Sequence, residues 1–172
     1  MSFRIIRPAL IFSLMISLGV FAQAVAQDQD KPAGKMRWFD MDHCAICANL
    51  ASQKQEMHRI KWELHQLDNG TLTISVIPED MKKGMSDVEK GIEKTVGELM
   101  SGKALDLCGY CETYGQLMGM GAKFKDLKTV GGKISIITSS DSEIVEQIHA
   151  FGERSKVEHA KMLNRIKASA AK

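Results

Sequence analysis

All four cysteines of the 172-residue chain lie in two matching stretches, Asp42-His43-Cys44-Ala45-Ile46-Cys47 and Asp106-Leu107-Cys108-Gly109-Tyr110-Cys111. Both read D-x-C-x-x-C. An aspartate two places before the first thiol is placed like a helix N-cap, whose carboxylate accepts the first-turn amide hydrogens that have no partner within the helix. Asp42 and Asp106 are therefore expected to cap, and each C-x-x-C to open a helix. At such a position the helix dipole and free amides favour thiolate over thiol. Residues three apart share one helix face. Each pair can thus aim both sulfurs at one partner, whether a metal ion, each other, or the opposite pair.

Where the chain resides decides how those cysteines are read. Arg4 and Arg7 precede a largely apolar run from Pro8 to Phe21, and Ala22-Gln23-Ala24-Val25-Ala26 supplies small residues for cleavage, so residues 1–26 read as a signal peptide. Export to the periplasm or beyond the cell is expected, with no membrane attachment after cleavage. Cleavage removes two arginines and no acid, leaving 21 basic against 21 acidic residues. A formally neutral chain with few aromatic residues lacks the basic footprint that a nucleic-acid partner demands. The remaining 146 residues suffice for one compact domain or for two small repeats that share a core. In an oxidising compartment four cysteines more often make two disulfides than a zinc site, so a disulfide-stapled binding or interaction module is the alternative to weigh.

Hydrophobic periodicity gives each half the same order. Residues 27–37, polar and containing Pro32 and Gly34, read as a flexible leader. After the first C-x-x-C helix, Ile60, Trp62 and Leu64 alternate with charged residues as in a half-buried strand. Asp68-Asn69-Gly70 turns the chain, Leu72, Ile74 and Val76 form the returning strand, and Pro78 ends it. Beyond a basic connection, Ser86 and Glu89 form a capping box for a helix bearing Val88, Ile92, Val96 and Leu99, stopped at Gly102. The second half follows with a glycine-rich C-x-x-C helix to Gly121, a poorer strand from Phe124 to Val130, a Gly131-Gly132 turn, a strand Ile134 to Thr138, and a helix from Asp141 or Ser142 carrying Ile144, Ile148 and Phe151. The glycines after Leu107 allow something to pack closely against that helix.

The fold expected is α+β: two α-β-β-α repeats, 38–102 and 103–172, whose hairpins join into a four-stranded antiparallel sheet covered by helices, ferredoxin-like in character.

Metal binding is the chemistry these residues favour most. One shared site of Cys44, Cys47, Cys108 and Cys111 suits tetrahedral zinc, whereas two separate two-sulfur sites suit Cu(I). His43 adjoins Cys44 but stands where a helix faces solvent, and Leu107 occupies the matching place in the second half. His58, His65, His149 and His159 match no ligand spacing and are expected on solvated faces. Met118 and Met120, close behind Cys111, are soft enough for Cu(I) but more often core fillers. Tyr110 and Tyr114 flank the second pair and are candidates to pack over it.

From Cys44-Ala45-Ile46-Cys47 through helix, hairpin and second helix, and again from Cys108 to about Phe151, the layout resembles the heavy-metal-associated, copper-chaperone-like domain, with Asp42 and Asp106 in place of that family's methionine. Residues 38 to about 163 also resemble an uncharacterised family of exported bacterial proteins with duplicated C-x-x-C motifs. That likeness implies duplication and export and brings no catalytic residue.

A periplasmic thiol-disulfide oxidoreductase is the third reading. It lacks the buried strand that leads into a thioredoxin motif and the later proline, because only Pro32 and Pro78 follow the leader's start. Covalent haem attachment requires histidine after the second cysteine, where Ala48 and Glu112 stand. No triad motif, phosphate loop or paired acids mark a hydrolase, and the reading leans away from an enzyme. The partners expected are a metal ion, Cu(I) or zinc, and another exported protein.

Overall fold

The computed structural model describes residues 36–170. The expected signal peptide and all of the expected leader before Met36 lie outside the described residues. In chain order the elements are a 3-10 helix Cys47–Arg59, β1 Lys61–Leu67, β2 Gly70–Val76, a short 3-10 turn Glu79–Met81, α1 Lys82–Met100, α2 Gly109–Gly119, β3 Lys123–Thr129, β4 Gly132–Thr138 and α3 Ser142–Ala170. The class is α+β, with one four-stranded antiparallel sheet in the order β1-β2-β4-β3. No described helix is long and apolar enough to cross a membrane.

Two hairpins make that sheet, and their turns fix its register. Asp68-Asn69 closes the first with Leu67 opposite Gly70, and Val130-Gly131 closes the second with Thr129 opposite Gly132. The hairpins meet along β2 and β4, centred on Thr73 opposite Ser135, so that Gly70 faces Thr138 and Val76 faces Gly132. Both glycines are required by close approach. A Cβ at Gly70 would stand 1.9 Å from the Ile137 carbonyl oxygen, and one at Gly132 the same distance from that of Ser75. Seven residues of ladder on each side therefore lock the two halves together.

Alternation gives the sheet two faces, and the helices cover the less apolar one. Below them lie Trp62 and Leu64 of β1, Thr71, Thr73 and Ser75 of β2, Ser135 and Ile137 of β4, and Asp126 of β3. Leu72, Ile74, Val76, Ile134, Ile136 and Leu127 fall on the other face, where Val76 and Leu127 are exposed. Helix α3 comes close enough for this because residue 152 is glycine: a Cβ there would meet Thr71 Cγ2 at 3.1 Å and Leu64 Cδ2 at 3.2 Å.

Two helix boundaries differ from expectation. Helix α1 starts at Lys82, so Met81-Lys82-Lys83-Gly84 is no connection, and Ser86 sits inside the helix without capping it. The first C-x-x-C helix starts at Cys47 and is of 3-10 form, leaving Cys44 in the turn before it. Helix α3 runs unbroken for 29 residues to Ala170, well past Phe151. Asp141 starts it, accepting the amides of Glu143 at 2.9 Å and Ile144 at 3.4 Å. Gly102 does close α1, at φ 91°.

The interior divides in two. Trp38, Leu117, Ala122, Ile137, Ile148 and Phe151 make an aromatic and aliphatic core between sheet and helices. Met41, all four cysteines, Met162 and Ile166 make a second core of mostly sulfur side chains. Phe39 and Tyr110 touch both, and α3 contributes to both.

Candidate metal centre

The sulfur core is assembled by backbone hydrogen bonds between segments remote in sequence. Ala45 N–H donates to the Asp106 carbonyl at 2.9 Å, tying the first C-x-x-C turn to the approach of the second. Gly109 and Tyr110, the first residues of α2, donate to the carbonyls of Arg37 (3.3 Å) and Trp38 (2.9 Å). Those amides are the helix's orphan donors, and the stretch before the first motif satisfies them. Gly109 is needed for this contact, since a Cβ there would lie 2.8 Å from Trp38 Cε3.

Capping falls to a different aspartate from the two expected. Asp40 is 3% exposed, and its Oδ1 accepts the amides of Asp42 at 3.0 Å and His43 at 3.1 Å, which closes the turn that presents Cys44. Burial pushes the Asp40 carboxyl up, but the two amides, the His43 ring and the Arg37 guanidinium together hold it below the ordinary carboxylate range. Asp42 instead pairs outward with Lys54 at 2.6 Å and Arg37 at 3.1 Å, and the Lys54 hydrogen bond leads in lowering its pKa. No side-chain hydrogen bond caps α2, so Asp106 contributes its carbonyl and not its carboxylate.

Both cysteine pairs converge. The sulfurs of Cys44, Cys47, Cys108 and Cys111 all lie within 4.8 Å of one another, all four residues are buried, and none is disulfide-bonded. Cys47 Sγ is 3.5 Å from Cys108 Sγ and 3.6 Å from Cys111 Sγ. Four thiolates about 2.3 Å from a tetrahedral ion stand about 3.8 Å apart along each edge. The observed spacing brackets that value, so the cavity among the sulfurs fits one ion of zinc size. Cys47 N–H points at Cys44 Sγ at 3.5 Å, a contact that stabilises the first sulfur as thiolate. The Cys111 amide acts in the same sense on Cys108.

The thiols shape one another's ionisation. Cys44 is driven far below the ordinary thiol range, chiefly by hydrogen bonding from Cys108, and Cys108 is lowered to about 7, chiefly by Cys111. Cys47 and Cys111 go the other way, each first through its bond with Cys108. The first cysteine of each pair is thus the favoured anion, and a bound cation would draw the second pair of protons off as well.

Around the cluster, the other sequence candidates separate. Met41 and Met162 pack against the sulfurs, whereas Met118 and Met120 point to solvent, Met118 being 54% exposed. Tyr110 lies over the cluster, its centroid 4.8 Å from Phe39 and 5.0 Å from Phe151, and burial raises its pKa. Tyr114 stacks on Phe124 at 4.5 Å, in the other core. His43 is exposed and turned to Asp40, and His58 and His65 are exposed as expected. His149 and His159 are not on solvated faces. Nε2 of His149 meets the carbonyls of Leu67 at 2.9 Å and Gly70 at 3.0 Å, while His159 lies 4.7 Å from the Trp62 ring and burial lowers its pKa. Sequence reading missed Met41, Met162 and Ile166. The last two continue the stripe Ile148, Phe151, Ser155 along α3 at helical spacing, a signal present in the sequence but diluted by charged neighbours.

Comparison of the chain with protein-family models, with curated proteins and with solved structures gave no match. Fold and site define the class on their own: an α+β protein with a buried cluster of four free cysteines that can hold a metal ion.

Proposed function

We propose that the protein is an exported metal-binding protein holding one soft transition-metal ion, zinc in preference to Cu(I), through Cys44, Cys47, Cys108 and Cys111. The convergence of both pairs into one coordination sphere carries this reading. Two separate pairs would have favoured two-coordinate Cu(I), whereas four sulfurs at tetrahedral spacing suit zinc. With Cys44 and Cys108 at 0% exposure, the site is closed. A closed four-sulfur site is the pattern of structural zinc, without the open position that catalytic zinc keeps. The same burial weighs against thiol-disulfide exchange, which needs an accessible thiolate.

Elemental analysis of protein purified from the exported compartment, without added metal, tests the proposal. About one zinc per chain, with no thiol reactive until a chelator is added, is the expected result. Metal at trace level with both pairs oxidised would overturn it and leave a disulfide-stapled module. Export is tested separately by the mass of the mature N-terminus, expected at Gln27.

A further inference from the structure

The helix-covered face of the sheet bears a partly open cleft, remote in chemistry from the cysteines. Between the sheet and helices α2 and α3 lies a cavity of about 230 Å³, walled by Trp62, Tyr110, Tyr114 and Phe151 and floored by hydroxyl side chains. Its polarity is unusual for the middle of a domain, where a covered sheet face ordinarily carries aliphatic residues. Here Thr71, Thr73, Ser75 and Ser135 stand at the centre of that face, on the two inner strands.

Ser155 of α3 also lines this cavity. It is 1% exposed, and its hydroxyl has no hydrogen-bond partner among the described residues. A buried hydroxyl without a partner is costly enough that native structures rarely keep one unless something fills the place opposite. At one side of the cavity Lys133 Nζ pairs with Asp126 at 2.7 Å. The two charges cancel, so the site offers no net charge to an ion. Tyr114 is raised to about 12, by burial first and then by Asp126, so its phenol keeps its proton and stays a donor.

From this combination we infer that the cavity binds a small uncharged polyol of monosaccharide size. Hydroxyls that both donate and accept match a polyol's own groups, and the aromatic walls match the apolar faces of a sugar ring. The volume corresponds to about seven or eight water molecules in the liquid, room for one such ring but no more. A carboxylate or ammonium ligand would have to compete for Lys133 or Asp126 with the partner that each already holds. This site does not depend on the metal reading. Tyr110 is the wall the two share, its far side lying against the sulfur core.

Titration of the metal-replete, signal-processed protein with D-glucose, D-galactose, L-arabinose and glycerol, followed by tryptophan fluorescence and calorimetry, tests the inference. Glycine and L-glutamate serve as charged controls. Saturable binding of at least one sugar is expected, weakened about tenfold or more in Ser155→Ala, which is close in size but lacks the hydroxyl. Ser155→Ala should fold at least as well as the wild type, because it removes an unsatisfied buried group without adding volume, so its loss of binding is not a loss of structure. The fluorescence response should vanish in Trp62→Phe and persist in Trp38→Phe. No binding of any sugar, binding unchanged by Ser155→Ala, binding of the amino acids alone, or a crystal structure showing only ordered water in sugar-soaked protein would each overturn it.

Discussion

The two cores of the molecule are built on opposite principles. The aromatic and aliphatic core consists of side chains that gain by leaving water whatever else is present: Phe151 alone packs against Trp38 at 5.9 Å and Tyr110 at 5.0 Å between ring centroids. The sulfur core gathers four ionisable thiols, with Met41, Met162 and Ile166 around them. Thiols crowded to 3.5 Å and shifted in opposite directions stabilise one another only through shared protons or a shared cation. One core is complete in its own side chains, and the other has room for a cation that would join its thiols. Metal should therefore control one end of the molecule and leave the other standing, with α3 as the element that registers the difference.

Cys108→Ser gives the largest expected effect. It removes one ligand from the centre and the hydrogen-bonding partner that most perturbs the other thiols. Four-sulfur zinc sites contribute apparent binding free energies on the order of 10 kcal/mol, all of it available to folding when the unfolded chain binds no metal. Stoichiometric zinc should be lost. Hydrogen exchange should show protection collapsing in α2 and in the C-terminal half of α3, while amides of β2 and β4 keep theirs. Equal loss of protection in both places would erase the distinction between the cores.

Phe151→Ala attacks the seam. Truncating a buried phenylalanine costs about 3–5 kcal/mol, and this one lies on the same ring network as Tyr110, which covers the cysteines. Thermal denaturation should report a loss of that size, with zinc still bound at one per chain. A variant as stable as wild type would show that the sheet core does not rest on this ring.

Met162 separates packing from ligation. Its side chain is 5% exposed and packs against the sulfurs. If it serves only to fill space, Met162→Leu should cost less than about 1.5 kcal/mol and Met162→Ala about 2–5 kcal/mol. Neither should change metal stoichiometry. A drop in bound metal with Met162→Leu would instead make the thioether a ligand and bring Cu(I) forward.

The hairpins were legible in the sequence because period-two alternation and two-residue turns are local signals: Trp62, Leu64 and Asp68-Asn69 sit where the alternation puts them, whereas the second turn falls at Val130-Gly131, one residue before the expected Gly131-Gly132. Alternation says nothing about which face the helices take. Leu72, Ile74 and Val76 look like the buried side of β2, yet α3 lies over Thr71, because Gly152 permits the approach and the ring network of α2 and α3 draws it there. All four cysteines were identifiable as one chemical group, but their meeting was not. It depends on Ala45 reaching the Asp106 carbonyl and on Trp38 filling the space that Gly109 leaves, contacts across more than sixty positions that no short motif encodes. The same distance problem hid the part α3 plays: nothing local to Met162 and Ile166 points to the sulfurs they cover.

Asp40 provides the smallest and most specific test, because the sequence offers Asp40 and Asp42 two residues apart and only the structure decides between them. Asp40 accepts two turn amides, whereas Asp42 is half exposed and engaged with Lys54 and Arg37. Asp40→Ala should cost about 1 kcal/mol, as loss of a cap does. Asp42→Ala breaks only surface ion pairs and should cost a few tenths. Asp40→Asn keeps an acceptor for the amides and loses the charge, so it isolates the pH-dependent part. The folded carboxyl titrates below its unfolded value near 3.9. Its stabilisation is therefore fully present above that value and disappears as pH falls through the lower, folded one. The stability difference between wild type and Asp40→Asn should be flat from neutrality down to about pH 5 and shrink toward zero below pH 4. Acid releases metal from both proteins alike, so that loss cancels in the comparison. A difference that stayed constant to pH 2, or one that grew on acidification, would show that the carboxylate is not what holds the Cys44 turn.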